Sequence, residues 1–297
     1  MISREQRAVI AQETMEIIKK GFYENRLGEN INIREACLAA KTASIHYSER
    51  MFKNVFAQRD NILNTKKLFN QTSFTVSNET TLHAASRLVN DEGIEKVLCL
   101  NFASAKNPGG GFLNGSQAQE ESLARATGLY PCIAQMTQMY DTNRNLGSSL
   151  YTDDMIYSPG VPVIRDDNDE LLNQLFLVSI LTVPAVNAGA VRQKGKRSEI
   201  NSIESTMLAR TEKLLSVAAI HDYKVLVLGA WGCGVFKNNP QDVAEYFYHH
   251  LVENTHLNGF FEKVVFAVLD KSKDESIITP FRTTFETRSS QKQIELL

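Results

Sequence analysis

The sequence predicts an α/β protein, and three observations carry that reading. Short apolar runs alternate with helical segments after about residue 70. Two glycine-rich loops each follow such a run directly and lead into helical text. The bulk composition of the 297 residues, 43% apolar and 22% charged, is that of a globular chain able to bury a sizeable core. A central sheet with helices on both faces is the economical architecture.

The elements follow in order. From Arg4 to Lys20 the apolar residues Val9, Ile10, Met15, Ile17 and Ile18 fall at helical spacing, and Gly21 stands as the stop. Helical text returns from Arg50 to Phe69, after small strand-like runs at Ile31–Ile33 and Ile45–Tyr47. Residues 1–70 are expected to be a helical N-terminal extension packed on a main domain spanning 71–297. In that domain strands are expected at Phe74–Val76, Val97–Ala103, Leu175–Val183, Val225–Leu228 and Val264–Leu269. Helices are expected at Glu79–Val89, capped by Ser77 or Asn78, and at Gln117–Ala126, Glu199–Ile220 and Gln241–Val252. The last of these opens on Asn239-Pro240, a cap followed by a first-turn proline.

Composition also narrows the function. A formal charge of −2 supplies no field to draw the protein onto nucleic acid or an anionic membrane, so an anionic ligand must be held by local groups. Direct reading of nucleic-acid sequence is not expected. Cys37, Cys99, Cys132 and Cys233 lie far apart without C-x-x-C spacing, against a zinc site or a disulfide scaffold. No run reaches the ~18 apolar residues of a membrane span, and Arg4, Glu5, Arg7 and Glu13 occupy the place of a signal-peptide core. The expectation is a soluble cytoplasmic protein, or one exported by a route without such a mark.

The two loops carry the chemistry. In the first, Asn107-Pro108-Gly109-Gly110-Gly111, three glycines allow positive φ and let backbone N–H groups approach an anion, with a helix start beyond. A diphosphate cradle is one reading; a flexible surface turn is the other. The second loop, Gly229-Ala230-Trp231-Gly232-Cys233-Gly234-Val235-Phe236, ends neither in Gly-Lys-Ser/Thr nor as G-x-G-x-x-G opening a helix at once. Two such loops at one sheet edge could grip a diphosphate from both sides. Phe236 then lies against a ribose or base, or is a core aromatic, and Trp231 reads as structural.

Gln119-Glu120-Glu121 starts a helix eight residues past the triplet. Acidic residues there complement the helix dipole. Beside an anion-binding loop they also suit a glycosidic bond adjoining a diphosphate, whose leaving oxygen wants a proton and whose oxocarbenium-like transition state wants a negative charge. Burial near phosphate would raise a glutamate's pKa. Adjacent on a helix, the two point roughly 100° apart, so separate roles are expected.

With Gly109-Gly110-Gly111, a gap of seven and Gln119-Glu120-Glu121, the sequence resembles the bacterial-type poly(ADP-ribose) glycohydrolases, a macrodomain-superfamily branch. Phe102–Pro108, Ser122–Arg125, Val183–Asn187 and Gly229–Phe236 look like the same family. The resemblance implies a macrodomain-like three-layer α/β/α mixed sheet and hydrolysis of ribose–ribose bonds in poly(ADP-ribose), without metal or cofactor. It implies Glu121 as acid and then base, and Glu120 as holder of ribose hydroxyls. Gly109, Gly110 and Gly111 would contact ribose and diphosphate, with Gln119 in the same binding set; Gly232, Cys233, Gly234 and Val235 would close over the diphosphate, and Phe236 would pack on the terminal ribose. Asn107 is added as an amide suited to ribose hydroxyls. The substrate expected is ADP-ribose polymer, or alternatively a mono-ADP-ribosylated protein; a non-catalytic ADP-ribose reader would normally lack Glu121.

Overall fold

The structure is a computed structural model and describes residues 2–65, 69–254 and 256–287. In chain order its principal elements are α1 (Arg4–Lys20), β1 (Phe22–Glu24), β2 (Asn30–Asn32), α2 (Arg34–Ala43), β3 (Ile45–Tyr47), α3 (Phe52–Thr65) and β4 (Ser73–Ser77). There follow α4 (Thr81–Ser86), β5 (Val97–Phe102), α5 (Gln119–Ala126), α6 (Leu129–Ala134), α7 (Thr137–Asn145), β6 (Met155–Arg165) and β7 (Leu171–Val183). The chain continues through α8 (Ala188–Lys194), α9 (Arg197–Asn201), α10 (Ile203–Ile220), β8 (Val225–Leu228), α11 (Pro240–Tyr248), β9 (Lys263–Ala267) and α12 (Ile278–Arg282).

Local chemistry sets the ends of α1. Ser3 and Gln6 form a reciprocal capping box, Glu5 sits in the first turn and Lys19 and Lys20 in the last, and Gly21 closes the helix at φ +84°. Asn239 caps α11 by accepting from Gln241 N–H, with Pro240 in the first turn, as expected.

The chain divides into two compact units. The first comprises residues 1–47, 85–145 and 154–184. Its sheet strands run in the order β3, β6, β7, β5, antiparallel except for the parallel pair β5/β7, and β1 and β2 form a separate antiparallel hairpin. Helices α2, α5 and α6 pack on these strands, and α1 packs on α5. The second unit comprises residues 48–84, 146–153 and 185–297. Its strands β8, β9 and β4 are parallel, α12 packs on β4, and α10 packs on α3 and α11.

The expected α/β architecture is present, with strand directions mixed. The segment 1–70 contributes its first 47 residues to one unit and the rest to the other. The helix expected up to Phe69 ends at Thr65, and 66–68, like 288–297, lie outside the described residues. The helix read as Glu199–Ile220 is two, parted at Ser202. Among the described residues no helix is long and apolar enough to cross a membrane.

Candidate active site

Strand β5, Val-Leu-Cys-Leu-Asn-Phe, is buried nearly throughout, and Asn101 is its one polar residue. A buried amide needs partners. Asn101 Nδ2 donates to Thr182 Oγ1 at 3.1 Å and makes a long 3.5 Å contact with Glu120 Oε1. Helix α5 is tied to the same strand through Gln119, whose Oε1 accepts from Phe102 N–H at 2.8 Å and whose Nε2 donates to Leu100 O at 2.7 Å. With both ends of its amide committed to β5 backbone, Gln119 anchors the start of α5 rather than facing outward.

That anchor turns the two glutamates in different directions. Glu120 faces the strand and is only 3% exposed; its Oε2 accepts from Ser104 N–H at 2.6 Å. Burial pushes its carboxyl up to about 8; the charge of Glu121 adds to this, and N–H donation from Ser104 and Gly109 and the Asn101 amide oppose it. The expected rise in a glutamate's pKa thus falls on Glu120. Glu121 is half-buried and turns toward the glycine triplet, where its Oε1 accepts from Gly111 N–H at 3.1 Å. The two adjacent glutamates thus turn into different surroundings.

Gly109 and Gly110 have φ of +70° and +58°. A Cβ on Gly110 would lie 2.3 Å from Glu121 Oε1, and one on Gly109 would lie 3.0 Å from the Phe112 ring. Glycine is therefore required for the close approach of loop and carboxylate as well as for φ. The N–H of Gly110 is taken by Asn107 O at 3.0 Å. Those of Gly109 and Gly111 serve Glu120 and Glu121. The groups that this loop receives in the structure are thus the two glutamate carboxyls. Asn107 is exposed, its N–H on Ser104 Oγ.

The second loop belongs to the other unit. Trp231 is fully buried against Phe247, the structural role expected. Gly232, at φ +75°, is crowded by Ala185 and Asn238, and Asn238 Nδ2 holds the loop through Val186 O and Gly232 O at 2.8 and 3.1 Å. Cys233 is half-buried, and burial pushes its thiol up to about 12, so it is no nucleophile at neutral pH. A Cβ on Gly234 would meet nothing within 4 Å, and Val235 is 78% exposed. Among the described residues the N–H groups of Gly234, Val235 and Phe236 have no hydrogen-bond partner. Phe236 packs on Tyr151, ring centroids 5.9 Å apart. Tyr151 itself has φ +60°, and the fully buried Arg210, paired with Asp153 at 2.7 Å, donates to the carbonyls of Leu150 and Tyr151.

Asn101, Ser104 and Tyr151 were not singled out from the sequence. Asn101 carried a signal, a lone amide in an otherwise apolar strand. Ser104 acts through its backbone, and Tyr151 through a contact 85 positions away in the chain, which spacing does not reveal. Among the described residues no group of three His, Cys, Asp or Glu side chains could hold a metal ion.

A family model described as the microbial-type PARG catalytic domain matches residues 11–166. The solved poly(ADP-ribose) glycohydrolase (PARG) of Thermomonospora curvata is 39% identical, covering 95% of this chain and all of its own, with a TM-score of 0.88. The same enzyme bound to the inhibitor ADP-HPD is similar at 39% identity and a TM-score of 0.85, with the same coverage. The PARG of Deinococcus radiodurans in complex with ADP-ribose is 41% identical over 84% of this chain and 97% of its own, with a TM-score of 0.77. The comparison with curated proteins gave no match. Matched by the family model over more than half of its length, and by these structures in both fold and sequence, the chain belongs to the microbial-type poly(ADP-ribose) glycohydrolase family.

Proposed function

We propose that this chain hydrolyses the ribose–ribose bonds of poly(ADP-ribose) with Glu121 as the acid and base. Family membership supplies the reaction. The division of labour rests on one observation: Glu120 is enclosed by Asn101 and backbone N–H groups, whereas Glu121 is half-buried, with Gly111 N–H as its hydrogen-bond donor. Glu121 protonates the departing ribose oxygen and, as carboxylate, then takes a proton from the attacking water. Glu120, fixed from the strand side, orients ribose hydroxyls. Gln119 acts as the anchor of both.

Beside them, the absence of a Cβ at Gly110 leaves the Glu121 carboxyl unobstructed, and Asn107 offers an exposed amide. In the second unit, taken by itself, the N–H groups of Gly234, Val235 and Phe236 suit a phosphate, with Gly232 and Asn238 holding the loop's shape and Phe236, beside Tyr151, offering its ring to a ribose. The test is release of free ADP-ribose from the polymer and from mono-ADP-ribosylated protein, by wild type and Glu121→Gln. Wild type should act chiefly on the polymer. The variant should lose at least ~10² in rate while binding ADP-ribose within a few-fold of wild type. Turnover close to wild type in Glu121→Gln would exclude it as the acid.

A further inference from the structure

The carbonyls of three consecutive residues just past the glycine triplet, Asn114, Gly115 and Ser116, are each capped by a different arginine. Arg4 Nε donates to Asn114 O at 3.0 Å, Arg7 Nε to Gly115 O at 2.9 Å and Arg125 Nη1 to Ser116 O at 3.0 Å. Arg4 and Arg7 sit three apart on α1, on one face of the helix. Arg125 lies on α5, one turn beyond Glu121, and is 2% exposed.

Two of the three guanidiniums are themselves held by further contacts. Arg7 Nη1 donates to Ile2 O at 2.8 Å, and Arg125 Nε to Asp169 Oδ1 at 3.2 Å. Thr14 Oγ1, on α1, donates to Arg125 O at 2.7 Å, and the buried Arg165 donates to Thr14 Oγ1 and Asp169 O at 3.1 and 2.8 Å. Between α1 and α5 the apolar filling is Ala11, Phe112 and Ala124. The approach is close enough that a Cβ on Gly115 would lie 2.0 Å from Arg4 O.

The loop fixed at this end is the one whose N–H groups hold the glutamates at the other. Ser116 N–H and Asn114 N–H both return to Gly111 O, at 3.2 and 3.0 Å, and Gly111 N–H reaches Glu121 Oε1. Peptide groups are dipoles, so cations on the carbonyl side also polarise the loop in the sense that favours anions on its N–H side.

We infer that Arg4, Arg7 and Arg125 are positioning residues for the reaction: through the carbonyls of Asn114 to Ser116 they hold the glycine loop in the register that sets the Glu121 carboxylate. Helix α1 is then part of the catalytic apparatus without touching substrate. This rests on the reading of Glu121 as the reacting group.

The test is the double variant Arg4→Ala/Arg7→Ala, its lysine counterpart and Glu121→Gln. Turnover on poly(ADP-ribose) is measured per ADP-ribose-binding site, counted by calorimetric stoichiometry, so that unfolded molecules do not enter the rate. The alanine pair should lose about tenfold in kcat with KM within threefold, since a displacement well under 1 Å at a reacting group is enough for that. Its pH–rate profile should also be displaced from that of wild type, a readout that loss of folded protein alone does not move. Lysines, which can still donate to the carbonyls, should restore part of the rate. An unchanged kcat per binding site with a superimposable pH profile would overturn the inference and leave α1 a structural brace. If the double variant does not fold, Arg4→Ala alone, at an exposed position, should show a threefold loss, and no loss there overturns the inference equally. Full activity in Glu121→Gln would instead overturn the reading of the site, whatever the arginine variants do.

Discussion

Replacing Gly110 with alanine separates stability from catalysis more sharply than any other change at this site. The new Cβ would stand 2.3 Å from Glu121 Oε1, 2.9 Å from its Cδ and 3.4 Å from Glu120 Oε2. The obstacle is the end of a flexible side chain, so the fold can yield: moving the Glu121 carboxyl back by about 1 Å restores an ordinary contact. Holding alanine at φ +58° adds about 1–2 kcal/mol of backbone strain. For a chain of this size that is a fall of a few degrees in the melting midpoint. The catalytic effect is larger, since a misplacement of about 1 Å at the reacting centre is worth about 10² in rate. The assay pairs thermal melting of the ligand-free protein with initial rates of ADP-ribose release from poly(ADP-ribose). A Gly110→Ala variant that melts a few degrees low and retains activity within twofold of wild type would refute the close packing of loop and carboxylate on which the assignment rests.

Two further outcomes follow from the same geometry. Glu120 has a folded-state pKa near 8, above the carboxylate value of the unfolded chain, so between those values the folded protein binds the extra proton. Stability should therefore decline as pH rises from about 4.5 to 8; in Glu120→Gln, which has no such proton, the decline should be smaller, and parallel melting curves across that window would contradict the burial argument. The proposed hydrolysis by Glu121 and water calls on no metal, so EDTA should leave the rate unchanged; loss of activity on chelation, restored by Mg²⁺, would show that the proposed mechanism is incomplete.

Some of this was legible in the sequence and some was not, for physical reasons. Gly21 and Asn239-Pro240 mark helix ends because capping is local, and both do so in the structure. Strand β8 falls on Val225–Leu228 as expected because a short apolar run between polar turns has few alternatives. Strand β6 was missed: Pro159-Gly160-Val161-Pro162 reads as a turn, yet a shift in pairing between Ser158 and Val161 carries the proline and glycine within the strand. At the site, the triplet and the two glutamates stood out, because glycine and paired carboxylates are chemically distinctive. That Glu120 is the buried one depends on Asn101 and Ser104, and that the loop is clamped by Arg4 depends on a contact across 110 positions. Periodicity reports which residues share a face, not which distant residue meets them.

The interleaving of the chain has a consequence for how the protein can be made. The first unit draws on three stretches, the last ending at residue 184, and the second on three more, the last running to the C-terminus. A nascent chain emerging from the ribosome therefore cannot finish either unit early. Helix α1 is synthesised long before Asn114, Gly115 and Arg125, its partners, exist, and β4 waits for β9, its pairing partner nearly 190 residues later. Such long-range closure slows folding and leaves apolar faces uncovered during synthesis. Proteolytic cleavage at any of these internal boundaries would leave at least one unit divided between the two pieces.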